Sequence, residues 1–375
     1  MRFWNSDPRT ISVFLLCSVL SWASGCGKFF VEPAPPTPPG TGNFFYVANS
    51  VTNTIAGFVI GTSNITNTTN SPYSVGVSPS AIAVTPNSKY LYVASLSGAI
   101  FGYSIASSGA LNLLNNGTPV ITGVSPNVLR VDSSGQWLIA ADLSPSAFVF
   151  SINATSGLLT QQGSALPLDA GSPNHILVTP NNTLTYTSLG TGGVDICTFN
   201  VSSGALSKTN QILKPLASVN ADQGLASDPS SKYLFVTETG TSGVRVLSIA
   251  STGALTEVSG SPFKTGLGPN SVIVDVSGSY VYVTNQTDGT VSAFALATTG
   301  ALTAISGSPF KTGTAPTDLT EDTSKTYLGV ANQAGSPNFQ VFTIGSSTSA
   351  TPGGLTSFAS TTGSATGAFA VVAAD

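Results

Sequence analysis

Along most of the chain, apolar residues come in short runs bounded by Gly, Pro, Asn, Asp and Ser, and the runs are rich in β-branched and aromatic side chains. No long stretch repeats apolar residues at helical spacing. This pattern predicts short strands joined by tight turns. The clearest example is the stretch from Tyr280 to Thr303, YVYVTNQTDGTVSAFALATTGALT. One strand ends in Val-Thr-Asn, a polar turn surrounds Asp288-Gly289, and a second strand follows. A Thr-Gly turn at Thr299-Gly300 then leads into a third.

Versions of this unit recur seven times. Their strand ends are FFYVAN (44–49), YLYVAS (90–95), WLIAAD (137–142), LTYTSL (184–189), YLFVTE (233–238), YVYVTN (280–285) and YLGVAN (327–332), spaced by 46, 47, 47, 49, 47 and 47 residues. A second marker follows the strand ends, as in Ser108-Gly109-Ala110-Leu111, Ser156-Gly157-Leu158-Leu159 and Thr299-Gly300-Ala301-Leu302. Each unit has room for four strands; in the second these are 81–85, 90–95, 99–105 and roughly 111–120. A period of this length marks a repeat architecture. The predicted fold is all-β, a seven-bladed β-propeller of four-stranded antiparallel blades spanning 43–375. The first unit lacks an innermost strand. The C-terminal AFAVVA (368–373) matches AIAVTP (81–86), so it is expected to pair with residues 44–48 and close the ring.

Composition agrees with a folded chain: 41% of the 375 residues are hydrophobic and 7% charged. The net charge of -4 and the absence of a basic cluster argue against a nucleic-acid partner. Of three cysteines only Cys197 lies inside the repeats, where it reads as an apolar filler. Residues 1–26 read as a lipoprotein signal peptide. Arg2 and Arg9 precede the apolar run ISVFLLCSVL (11–20), which is too short to span a bilayer, and Ala23-Ser24-Gly25-Cys26 resembles the bacterial lipobox. That resemblance makes Cys26 the lipidation site. Residues 27–42 form a Pro-rich linker. Together they imply export to the bacterial cell envelope, in the periplasm or on the outer membrane, with the lipid anchor as the membrane contact.

Tyr-Val-Thr-Asn (282–285), repeated at this period with the Gly-Ala-Leu turn, resembles the YVTN-repeat branch of the lactonase-type seven-bladed propellers, a family that includes bacterial 6-phosphogluconolactonase. The resemblance covers about 43–375. It implies a site at one mouth of the central channel, where the family uses a histidine, a glutamate and arginines. This chain departs from that pattern. Gln223 stands in one arginine slot and Gln286 in another, and Glu238 comes one residue early. Arg130 and Arg245 fall in neither slot. The anion clamp is therefore expected to be missing, and 6-phosphogluconolactone is a poor substrate.

Register predicts which residues ring that mouth. The start of each innermost strand contributes Asn127, Asn174, Gln223 and Asn270, with Asp318 one position further on. The end of the next strand contributes Asn49, Asp142, Asn285 and Asn332. These are candidate ligand-binding residues, although Asn and Asp at strand ends also cap backbone groups. The candidate catalytic pair is His175, the only histidine, with Glu238. No Cys/His metal spacing occurs, and no cofactor or metal is implied. The one metal arrangement open to the sequence is an oxygen-only site built on Glu238, Asp142 and the ring asparagines. The expectation is a monomeric binding or scaffolding module for a small molecule, glycan or protein. The alternative is a lactone or related ester hydrolase at the channel mouth.

Overall fold

Each sequence unit folds as an antiparallel sheet whose strands, lettered a to d, run from the central axis outward. The computed structural model describes residues 43–361 and 365–375. The segment expected to be a signal peptide, with Cys26, and the expected Pro-rich linker lie outside the described residues. Strands a and b are Pro79–Val84 and Tyr90–Ser95 in blade 2, Pro126–Val131 and Trp137–Asp142 in blade 3, and His175–Val178 and Leu184–Ser188 in blade 4. They are Asp222–Ser227 and Tyr233–Glu238 in blade 5, Pro269–Val274 and Tyr280–Asn285 in blade 6, and Pro316–Glu321 and Tyr327–Asn332 in blade 7. Five of the seven sheets add a two-residue strand that pairs with strand c alongside d, so blades have four or five strands. Apart from two three-residue 3-10 turns, the regular structure of the described residues is all strand.

Blade 1 is closed by both ends of the chain. Its a strand is Ala368–Ala374, paired antiparallel with Phe44–Asn49 in the register Phe44↔Ala374 to Ala48↔Ala370. The C-terminal strand therefore completes blade 1 and closes the ring, as the C-terminal match predicts.

Strand b is covered on both faces by neighbouring blades, which is why Phe44–Asn49 and Tyr90–Ser95 are buried along their whole length. The core is a series of apolar clusters, most of them spanning two adjacent blades; Tyr92 and Ala94 of blade 2, for instance, pack with Leu129, Leu138 and Phe150 of blade 3.

The two sequence markers turn out to be partners across blades. The Tyr46 hydroxyl donates to the carbonyl of Gly109 at 2.7 Å, Tyr92 to Gly157 at 2.7 Å and Tyr282 to Gly353 at 2.9 Å. Trp137 Nε1 makes the equivalent bond to Val201 at 2.7 Å. These strand-b aromatics thus reach the turn of the next blade, three of them at its glycine. The glycine is needed twice over. Gly300 has φ 85°, and a Cβ there would lie 2.6 Å from the Tyr233 ring. The a–b turns are held by a third repeated device. Asp132 Oδ1 accepts from the backbone N–H of Gln136 (3.0 Å) and Trp137 (2.9 Å), and Asp275 Oδ1 from Ser279 and Tyr280. Asp228 and Asp322 repeat the motif. A quarter of the chain's 16 acidic residues are accounted for by these turns.

Candidate functional site: the central channel

The seven a strands enclose a channel with a cavity of about 720 Å³. Ser80, Asn127, Asn174, Gln223, Asn270 and Thr317 form its first ring, at the mouth the register predicts. Most of these side chains serve the fold. Ser80 Oγ donates to the carbonyl of Pro126 (2.6 Å), Asn127 Nδ2 to Pro173 (2.6 Å), Asn174 Nδ2 to Asp222 (3.2 Å) and Asn270 Nδ2 to Thr317 (3.2 Å). Each bond crosses to the next blade, so the polar ring staples the blades around the mouth. Gln223 is the exception, since its carboxamide takes no partner among the described residues. Gln286 and Gln333 also border the cavity.

One residue further along the a strands the chemistry changes. His175, Ser271 and Asp318 stand at equivalent positions of blades 4, 6 and 7, and Arg130 lies two positions deeper on blade 3. Asp318 accepts from Ser271 Oγ at 2.8 Å and from the Val371 N–H at 2.9 Å. Enclosure in the channel pushes its pKa up to about 6, although both hydrogen bonds and the Arg130 charge pull the other way. Enclosure also lowers His175 to about 3, aided by the Arg130 charge, so its ring is neutral at physiological pH. Its Nδ1 is buried without a hydrogen-bond partner. Arg130 is reachable from the channel and makes no hydrogen bond or ion pair with the described residues. Enclosure lowers its pKa, and Asp318 counters this. An arginine remains charged at neutral pH even so.

The other sequence candidates lie off the channel wall. Asp142 Oδ1 accepts from the N–H of Ser144 and Ser146, both at 3.0 Å. Asn285 bonds Thr290 and Ser292 (2.9 Å each) and Gly266 (3.1 Å), Asn49 bonds Thr54 at 3.2 Å, and Asn332 is wholly buried. Asp142, Asn285 and Asn49 thus brace the turn after strand b. Glu238 is wholly buried and accepts from the Leu216 N–H at 2.5 Å. His175 and Glu238 therefore do not share the channel, and the carboxylates that border it with His175 are Asp318, one register step inside the mouth ring, and Glu321, deeper on the same strand. Arg130 fits no family slot, so the resemblance does not point to it. Its signal was a charge at a position where the other a strands carry Ala83, Leu177, Ala226, Ile273, Thr320 and Ala370. The channel thus holds a cation that the family pattern did not foretell.

The family model described as Lactonase, 7-bladed beta-propeller matches residues 36–176 and 171–361. None of the curated proteins matches the chain. Among solved structures, a protein from Lactobacillus plantarum is similar at 19% identity and TM-score 0.71, over 89% of this chain and 100% of its own. A candidate 6-phosphogluconolactonase from Bacteroides fragilis aligns at 18% identity and TM-score 0.72, over 91% and 100%. The periplasmic gluconolactonase PpgL of Pseudomonas aeruginosa aligns at 14% identity and TM-score 0.72, over 89% and 99%.

Proposed function

The chain belongs to the lactonase family of seven-bladed β-propellers, and from that premise we propose that it binds a small hydroxylated anion in its central channel, as an exported, lipid-tethered module at the bacterial cell envelope. Arg130 carries the reading. A guanidinium inside a channel, with no protein acceptor, is a preorganised partner for a carboxylate or phosphate. The mouth around it is lined by carboxamides, Gln223 and Gln286 among them, which suit hydroxyl groups. Export and tethering rest on the basic start, the short apolar run and Cys26.

The test is calorimetric titration with D-gluconate and with glucose, which has similar hydroxyls but no charge. Gluconate is expected to bind at least tenfold more tightly, and Arg130→Met to remove the difference. Equal binding of both ligands defeats the reading. For the tether, Cys26→Ser should release the protein from membranes.

A second reading, lactone hydrolysis, is favoured by one observation: Asp318 titrates near 6 in the same cavity as Arg130. A general base works best with a pKa near the working pH. His175, held at about 3, is too weak a base to fill that role, so Asp318 would take the proton from water while Arg130 faces the carbonyl oxygen. Turnover of gluconolactone that survives Asp318→Asn would sink this assignment.

A further inference from the structure

Outside the channel, between blades 4 and 5, two carboxylates are buried with no cation to balance them. Asp222 and Glu238 are directly opposite on strands a and b of blade 5. Cross-strand partners project to the same side of the sheet, with Cβ atoms roughly 5 Å apart. Both residues are wholly buried. Glu238 Oε1 accepts from the Leu216 N–H at 2.5 Å, but Glu238 Oε2 and both oxygens of Asp222 have no hydrogen-bond partner. Arg245 is the nearby positive charge, and it is committed elsewhere. Its Nε and Nη2 bond Glu257 at 2.7 and 2.5 Å, and its Nη1 bonds the Lys214 carbonyl at 2.8 Å. A third oxygen donor stands close by. Asn220 is buried on the loop that precedes Asp222, and its carboxamide oxygen packs against Gly240, two residues after Glu238.

Buried charges persist only when they are paired, neutralised or bound to a metal. A single proton shared between the two carboxylates satisfies two of the three vacant oxygens and leaves one unpaired. A hard divalent cation can take all three, and it cancels the charge of the pair. Calcium accepts six to eight oxygens in irregular geometry at about 2.3–2.6 Å, whereas magnesium demands a regular octahedron and gives up its waters reluctantly. Among the described residues no three His, Cys, Asp or Glu side chains cluster, so the remaining ligands must be amide or carbonyl oxygens and water. We infer that Asp222, Glu238 and Asn220 form a calcium site that fastens the 214–221 loop to blade 5, directly behind Gln223 at the channel mouth. This inference does not depend on what the channel binds. It also relocates the sequence-level oxygen site, which keeps Glu238 but joins it to Asp222 rather than to Asp142.

The test uses the whole protein, stripped with EDTA and re-equilibrated with calcium at pH 7.5, with bound metal and thermal midpoint as readouts. One calcium per chain is expected, with a rise in the midpoint on the order of 3 °C or more at saturating calcium. Asp222→Asn and Glu238→Gln should each weaken binding at least tenfold, while Asp142→Asn, on an exposed turn, leaves it unchanged. Both site substitutions preserve shape, and glutamine keeps an acceptor for Leu216. If either variant fails to fold, displacement of bound terbium by calcium in the parent, read by luminescence, gives the stoichiometry instead. No stoichiometric metal overturns the site, as does a calcium response that survives both substitutions. A midpoint indifferent to calcium but raised by Asp222→Asn overturns it in favour of a shared proton.

Discussion

The first ring of the channel and the layer just inside it are built from neighbouring residues of the same strands, yet they do opposite things. In the ring, Ser80, Asn127, Asn174 and Asn270 each donate to a backbone carbonyl of the next blade. Their polarity is consumed by the fold. In the inner layer, Arg130 has no protein acceptor and His175 Nδ1 has no partner. The lesson concerns how to weigh polar residues. A polar side chain at a channel mouth is a recognition group only if its hydrogen-bonding capacity is left over after the fold has used what it needs. Four ring residues fail that criterion, Gln223 passes it, and the inner layer passes it with the larger charge.

Substitutions can break this contrast, and they rank by expected size. Arg130→Met should cost anion affinity about 1.5–3 kcal/mol, roughly ten- to a hundredfold, the usual worth of a hydrogen bond to a charged group. The thermal midpoint should move little, because the guanidinium makes no hydrogen bond or ion pair with the described residues; titration calorimetry beside a melting curve reads both. Asn127→Ala should do the reverse. It strips the Pro173 carbonyl of its donor and should cost about 1–3 kcal/mol of stability by denaturant unfolding, with affinity little changed. A larger loss of affinity than of stability would show that the ring recognises ligand directly.

The next effect is a pH dependence. Asp318 has its folded pKa raised to about 6. Its contribution to stability is therefore fully present below the unfolded carboxylate range near 4 and is lost as pH rises through 6. Asp318→Asn should flatten that part of the stability profile and leave the variant relatively more stable at pH 7.5. Anion affinity should follow the same course, falling through pH 6 in the parent and staying level in the variant. An unchanged profile in Asp318→Asn would assign the titration to another group, such as Glu321, whose pKa burial raises to about 7. The smallest effect expected is that of Gln223→Ala. It should stay within about 0.5 kcal/mol in stability, as surface changes away from structural partners do, while weakening binding of a hydroxylated ligand by a few fold.

Much of this molecule was written locally. Strand and turn residues alternate within a few positions of each other, and the near-constant spacing of YVTN-like ends repeats that local code seven times. Blade number, strand order and closure by 368–373 therefore followed from one-dimensional pattern, because each blade is one supersecondary unit and the ring follows from their number. Register placed Asn127, Asn174, Gln223 and Asn270 at one mouth for the same reason. The use made of each polar group was not written locally. Asn127 is spent on Pro173, a residue 46 positions away, and Asp318 is set by Val371, 53 positions away. Arg130 and Asp318 belong to blades 3 and 7, and only closure of the ring gives them one cavity. Glu238 ends a strand b that does not line the lumen, and its register partner Asp222 shares its buried pocket. Sequence determined the scaffold because its interactions are local and repeated. Tertiary structure decided the site because hydrogen-bonding capacity and charge balance are settled between blades.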